Sequence, residues 1–128
     1  MKSGVRGFTL IELLIVVVII GLLAIIALPK FGSARSKAYR AQMVTDLRGL
    51  VTAQEAYFEG TADYATDLAD LEFNRNPNVT ITINDASPSG WSAKATHASI
   101  TNQCGIYMGS GITPPAGLTL TEAVISCN

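Results

Sequence analysis

The sequence predicts an α+β protein in which one long N-terminal α-helix packs against a small antiparallel β-sheet. Two observations carry this prediction. Apolar residues fill positions 8–28, where only Thr9 and Glu12 are polar. After about residue 78, alternation of apolar and polar residues replaces helical spacing, as is typical of strands with one buried face.

Length and charge place limits on the class of protein. The chain has 128 residues, which suits one domain, and its formal charge of −1 with 48% hydrophobic residues fits no unusual globular class. Loss of Lys2 and Arg6 with a short N-terminal leader would leave fewer basic than acidic side chains. Phosphate binding needs clustered basic residues, so nucleic acid is not expected as the main partner.

The apolar segment 8–28 is long enough to span a membrane. As a helix its twenty-one residues would measure roughly 31 Å, against a hydrocarbon core of roughly 30 Å. Lys2 and Arg6 precede it, which predicts a cytoplasmic N-terminus and an exported C-terminal region. In a secretory signal peptide the apolar stretch precedes the cleavage site and is removed with it. Here the short leader precedes the apolar segment, which is the opposite order. An uncleaved single-span anchor is the alternative.

Helical spacing continues over residues 29–59, which are expected to form the amphipathic second half of the long helix. Pro29 lacks an N–H, so the helix is expected to bend or loosen between Gly21 and Pro29 without ending. Gly60 with Thr61 is the expected stop, since glycine readily takes the left-handed conformation that closes helices. The apolar residues at intervals of three or four are Phe31, Ala34, Ala38, Ala41, Val44, Leu47, Val51 and Phe58.

Residues 60–128 are expected to form an αβ-loop followed by the sheet. The loop should hold one helical turn at Thr66–Leu71, capped by Thr66, with Leu68 and Leu71 reaching the core. Its acidic residues lack the alternating ligand spacing and glycine turn of an EF-hand, so we expect a solvated face and no metal site. These acidic residues are Asp63, Asp67, Asp70 and Glu72.

Four segments of the C-terminal half alternate like strands, and their in-phase apolar residues predict the buried face. A turn at Ser87–Gly90 separates the first two segments, and a longer loop at Gly109–Gly117 follows the third. The in-phase residues are Val79, Ile81 and Ile83; Trp91, Ala93, Ala95 and His97; Cys104, Ile106 and Met108; and Ala123, Ile125 and Cys127.

Cys104 and Cys127 are the two cysteines of the chain, and they fall in the exported region. A disulfide between them is therefore expected, which would close a C-terminal loop and tie the last strand to the third. Structural zinc takes four ligands, so two cysteines with a single histidine make a zinc site improbable.

The sequence contains no pattern that indicates an active site. His97 is in phase with Trp91 and Ala95, which is typical of a partly buried strand residue rather than a catalytic base. There is no nucleophile-elbow serine, phosphate-binding glycine loop or paired metal motif. We therefore predict no catalytic residues, no cofactor and no enzymatic activity.

The N-terminus carries the most specific motif. Basic residues, then Gly-Phe-Thr-Leu-Ile-Glu at positions 7–12, then an apolar run resemble the type IV pilin and pseudopilin family closely. The resemblance implies that a prepilin peptidase removes the leader 1–7 by cutting between Gly7 and Phe8, and methylates the new amino group of Phe8. It also places Glu12 fifth in the mature chain, and Gly21 and Pro29 where many pilins have helix-weakening residues.

Glu12 is the first candidate for function on physical grounds as well. A carboxylate inside an apolar span costs on the order of 3 kcal/mol on insertion scales, so such a residue usually has a partner or a role. We expect it to pair with the Phe8 amine of a neighbouring subunit during assembly. The alternative is that Glu12 lies near enough to the membrane surface to reach water.

The predicted function is that of a structural subunit, a major or minor pilin of a type IV pilus used for adhesion, motility or DNA uptake. The chain would wait as a single-pass inner-membrane protein, and an assembly platform would then build it into a homo-oligomeric or mixed extracellular filament. The cysteine pair and strand-rich C-terminal region favour this over a pseudopilin of a type II secretion or competence system. A single-span membrane-anchored enzyme is the remote alternative.

Overall fold

A computed structural model of the chain describes Gly4 and residues 7–128; Lys2 and Arg6 lie outside the described residues. Contacts divide the chain into an N-terminal unit up to Arg35 and a C-terminal unit, Ser36–Asn128, each of which is considered by itself. The elements are α1 (Leu10–Thr61), a 3-10 helix (Leu68–Asp70), β1 (Val79–Ser87), β2 (Gly90–His97), β3 (Ile100–Gly109) and β4 (Ser126–Cys127).

The N-terminal unit consists of the first part of α1 and the residues before it. Its large apolar side chains are exposed along the whole segment; Ile11 near its start is 73% exposed, and Leu28 near its end is 72% exposed. The most apolar stretch has a mean hydropathy of 3.2 with none of its residues buried, so this helix is long and apolar enough to cross a membrane. The helix α1 is continuous through Gly21 and contains Pro29. The predicted weakening at these residues concerns subunits in a filament and stays a prediction.

In the C-terminal unit, α1 packs one face against the sheet, as predicted. Met43, Leu47 and Leu50 are fully buried and share the core with Trp91 and Ile106. This face differs in part from the predicted one, because Ala38 and Ala41 are exposed and lie outside the core. Met43, Leu47 and Leu50 remove more apolar area from water than these alanines would. In the N-terminal unit, the expected residues Phe31 and Ala34 are also exposed.

The sheet is antiparallel with strand order β1-β2-β3-β4. Val79 and Ile81 in β1 and Trp91 in β2 are buried, which confirms the predicted phase of these strands. The fourth strand is shorter than predicted, with two residues. Ala123 is not part of it: this residue is exposed, has a φ of 61°, and its N–H donates to the Tyr107 carbonyl outside any strand ladder.

The helix ends at Thr61, within the predicted stop at Gly60 with Thr61. The residue that takes the left-handed conformation differs from expectation: it is Ala62, with a φ of 59°, and Gly60 stays inside the helix. The 3-10 turn is capped by Asp67 instead of Thr66, since the Asp67 carboxylate accepts a hydrogen bond from the Ala69 N–H at 2.9 Å.

Ser92 lies out of phase with the apolar residues of β2 and is nevertheless fully buried. The loop between β3 and β4 covers it. The Ser92 hydroxyl donates to the Thr113 carbonyl at 2.7 Å, and the Thr113 N–H donates to the Asp85 carboxylate at 2.8 Å. Pro115 in the same loop is fully buried. Both faces of β2 are therefore covered, one by α1 and one by this loop.

Candidate processing and assembly site

The bond between Gly7 and Phe8 lies just before α1, in residues without regular structure. Both residues are exposed, Phe8 by 78%, and a side chain at Gly7 would meet no atom within 4 Å. Nothing within the described chain therefore requires glycine at position 7. Cleavage at this bond and methylation of Phe8 remain predictions that arise from the motif.

Thr9 and Glu12 form a capping box at the start of α1. The Thr9 N–H and hydroxyl both donate to Glu12 Oε2, at 2.8 and 2.6 Å, and the Glu12 N–H donates to the Thr9 hydroxyl at 3.3 Å. Reciprocal bonds of this kind satisfy backbone donors that a helix N-terminus otherwise leaves open. Glu12 therefore has a partner inside its own chain before any neighbour is present.

This arrangement defines what the site can do chemically. The Glu12 carboxylate can accept hydrogen bonds or neutralise an amine, and it lies four residues after Phe8 in the sequence. Sequence reasoning named Phe8 and Glu12 and missed Thr9. The signal was present as Thr-x-x-Glu directly before an apolar run, which is the pattern of a capping box.

The predicted disulfide is present between Cys104 and Cys127. The two residues are direct cross-strand partners in β3 and β4. Asn128 follows the bond, and its N–H and side-chain oxygen both pair with the Gln103 backbone, at 3.0 and 2.8 Å. A covalent bond and hydrogen bonds thus hold the C-terminal segment on the sheet edge.

His97 has a structural role. Its ring is buried and stacks on Tyr39 with centroids 4.4 Å apart. The Ser99 N–H donates to Nδ1 at 3.1 Å, which leaves Nε2 to donate to Gln42 Oε1 at 3.0 Å in the neutral ring. Both nitrogens are therefore used to join the β2–β3 turn to α1, in agreement with the predicted strand role.

A second aromatic contact lies near the end of α1. Phe58 stacks on Tyr64 at 4.6 Å, and the Tyr64 hydroxyl donates to Glu55 at 3.2 Å. Burial, with the Glu55 charge, raises the pKa of Tyr64. Within residues 7–128, no three His, Cys, Asp or Glu side chains come together as a metal site.

Comparison with known proteins finds the same N-terminal motif and a relative similar over nearly the whole chain. The prokaryotic N-terminal methylation motif matches residues 2–28. The chain is 32% identical over 125 residues to the type IV wide pilus major component PilA4 of Thermus thermophilus, which covers 94% of this chain and 91% of that protein.

Two further relatives match over shorter lengths. The type IV major pilin protein PilA of Myxococcus xanthus is 44% identical over 66 residues, 49% of this chain and 30% of the relative. The type II secretion system core protein G of Klebsiella michiganensis is 38% identical over 65 residues, 51% of this chain and 46% of the relative. The matched region thus spans less than half the length of these two relatives.

A long N-terminal helix with an apolar first part and a disulfide-closed antiparallel sheet define an α+β fold of the pilin kind. The nearly full-length match identifies the family: the chain belongs to the type IV pilins and pseudopilins. Members of this family are structural subunits and not enzymes.

Proposed function

We propose that the chain is the structural subunit of a type IV pilus. The observation that carries the proposal is the extent of similarity to the Thermus wide pilus major component, which includes the C-terminal unit as well as the helix. A relative that matches only the apolar helix would support no choice between filament types. The disulfide between β3 and β4 is consistent with a subunit whose C-terminal unit is exposed outside the cell.

We infer the assembly route from the N-terminal residues. A prepilin peptidase cuts after Gly7, and the processed chain waits in the inner membrane with residues 8–28 in the bilayer. An assembly platform then moves it into a helical filament, where the apolar helices of many copies bury one another. The Phe8 amine of one copy then pairs with Glu12 of another, which neutralises both charges in the apolar filament interior.

A pseudopilin is the second candidate, supported by similarity to the type II secretion core protein G over 51% of this chain. The two functions differ in where the filament ends. A pilus extends from the cell surface, whereas a pseudopilus stays in the periplasm.

Electron microscopy of sheared surface filaments, with peptide mapping of the same fraction, tests the proposal. Filaments dominated by peptides of this chain would support a major pilin, and a minor share would support a minor pilin. A deletion strain that keeps unchanged filaments, with this chain confined to the cell envelope of the wild type, would contradict the pilus and favour the pseudopilin.

A further inference from the structure

Basic side chains are concentrated just after the apolar segment of α1. No acidic residue lies between Glu12 and Asp46 in the sequence. Residues 41–128 have the opposite balance, with three basic and nine acidic side chains, so the charge of the chain is divided between its two parts. Of the nine lysines and arginines of the chain, four fall within eleven positions: Lys30, Arg35, Lys37 and Arg40.

Lys30 and Arg35 belong to the N-terminal unit, are both exposed, and are called the basic collar below. The Lys30 backbone carbonyl accepts a hydrogen bond from the Ser33 hydroxyl at 3.0 Å, which leaves the ammonium group free of that contact. The acidic residue of this unit is Glu12, which lies at the other end of the apolar segment and is bonded to Thr9. Within the described part of this unit, the two cations are therefore open to an anion from outside the chain.

The position of the basic collar along α1 matches the polar layer of a membrane. If residues 8–28 span the hydrocarbon core, Lys30 lies about 3 Å beyond its end and Arg35 about 10 Å beyond it, at a rise of about 1.5 Å per residue. The headgroup layer on each side of a bilayer is roughly 5 to 8 Å thick. Lysine and arginine side chains are long enough to bend toward this layer from either edge. Both charges thus reach the level of the lipid phosphates.

An apolar side chain lies between the two cations. Phe31 is 64% exposed and precedes Arg35 by four residues, so the two side chains are neighbours on the helix surface. Lys30 and Arg35 are five residues apart, which directs their side chains about 140° apart around the helix axis. Cations next to an exposed aromatic ring are typical of a helix surface at the membrane interface. The segment can therefore contact headgroups on more than one side while Phe31 faces acyl chains.

The side of the membrane on which these charges lie is unusual. The proposed function puts the residues after position 28 outside the inner membrane, where segments next to a span usually carry few basic residues. A basic cluster on that side is therefore expected to have a favourable partner there. Anionic phospholipid headgroups are such a partner, because each lysine or arginine near their surface strengthens binding by about fivefold.

We propose that the basic collar binds the headgroups of anionic phospholipids in the outer leaflet of the inner membrane while the subunit waits for assembly. The inference rests on the proposed function, because it concerns the membrane-held state, and it adds the class of lipid that this state prefers. Lys30 and Arg35 attract the headgroups, whereas the acidic surplus of residues 41–128 is repelled by them. This difference in charge keeps the end of the apolar segment at the membrane surface.

Lipid selection by the full-length protein tests the proposal. The protein is placed in nanodiscs of equal parts phosphatidylglycerol and phosphatidylcholine, and native mass spectrometry gives the ratio of the two lipids that stay bound to it. The wild type should retain an excess of phosphatidylglycerol. Lys30→Gln with Arg35→Gln should lower the ratio by at least about fivefold, the factor for one basic side chain at the surface. Arg48→Gln with Arg75→Gln removes two exposed cations of the C-terminal unit and should leave the ratio unchanged. All variants keep the leader, so its charges contribute equally.

A variant that keeps the charge separates electrostatic attraction from a structural effect. Lys30→Arg with Arg35→Lys should retain the wild-type ratio. About 1 M ammonium acetate should remove most of the excess, because the Debye length then falls to about 3 Å. The inference would be overturned by a wild type that does not enter the nanodiscs or shows no excess, by an unchanged ratio in Lys30→Gln with Arg35→Gln, or by an equal loss in the Arg48 and Arg75 control. The proposed function fails on a different result, the absence of this chain from filaments of wild-type cells.

Discussion

The Gln54 side chain holds Ala65 by both backbone groups. Its Nε2 donates to the Ala65 carbonyl at 2.9 Å, and its Oε1 accepts from the Ala65 N–H at 2.9 Å. Gln54 is fully buried within α1, and Ala65 is buried in the loop that follows. This pair attaches the first part of the loop to α1, which ends at Thr61.

Replacing Gln54 by Leu should destabilise the C-terminal unit strongly. The volume is nearly kept, but a buried N–H and a buried carbonyl lose their partners, which costs about 2 to 5 kcal/mol in total. Urea unfolding of the full chain in detergent, followed by fluorescence of the single, fully buried Trp91, measures the change. Thr52→Val, at an exposed position of the same helix, should change stability by less than about 0.5 kcal/mol. Equal effects of the two substitutions would contradict the assigned role.

Reduction of the Cys104–Cys127 bond should lower the free energy of unfolding by about 3 kcal/mol, the chain-entropy value for a loop of this length. The residues are 23 positions apart in the sequence. Membrane insertion should not change, because it depends on a different segment. Unfolding of oxidised and reduced wild-type protein gives the comparison. Equal thiol labelling before and after reduction would show that the exported protein lacks the bond.

Gly7→Val should block removal of the leader. A peptidase that must accept the bulky Phe8 on one side of the bond needs a small residue on the other. Gly7→Ala is the matched control and should be processed at least in part. N-terminal mass spectrometry of assembled filaments is the measurement, and a chain that began at Met1 in those filaments would rule out the cleavage.

Glu12→Val should leave translocation and cleavage nearly intact and sharply reduce assembly. The membrane-held subunit would lose a costly carboxylate, while the filament would lose the group that we propose neutralises a neighbour's Phe8 amine. Glu12→Asp should be intermediate, since the charge remains but its reach is shorter. The ratio of sheared filament to cleaved, membrane-held subunit is measured for each variant.

The capping box supplies a control for this experiment. Thr9→Val removes the hydroxyl that bonds to Glu12 but keeps the carboxylate, so it should cost about 1 kcal/mol at the helix start and leave assembly close to normal. Assembly lost equally in Thr9→Val and Glu12→Val would assign Glu12 to helix capping. Normal filaments from Glu12→Val would remove the charge-pairing role altogether.

Weakening of α1 between Gly21 and Pro29 is expected when subunits assemble. Proline removes one ladder bond, and glycine adds backbone freedom, so this stretch has the least helical support. A filament reconstruction that resolves the backbone tests the expectation, with a Gly21→Ala, Pro29→Ala variant as the strengthened comparison. A straight, continuous helix through both residues in the wild-type filament would contradict it.

Much of the fold was predictable because periodicity reports local geometry. The apolar run at 8–28, the phase of Val79 and Ile81, and the disulfide all followed from the spacing or type of residues. The helix ends within the predicted stop, at Thr61, but the predicted cap at Thr66 was wrong. Local propensity favoured Thr66, whereas the hydrogen bond from the Ala69 N–H to the Asp67 carboxylate places the cap one residue later.

The sequence by itself determined the apolar helix, its N-terminal motif and the alternation of the sheet, because each is a property of neighbours along the chain. Tertiary structure decided which charged residues of α1 are buried. Asp46 and Arg48 are both charged and two residues apart, and no local pattern distinguishes them. Asp46 is buried because the Asn76 N–H, thirty positions away, reaches it, whereas Arg48 is exposed. Contacts between distant segments supply that difference.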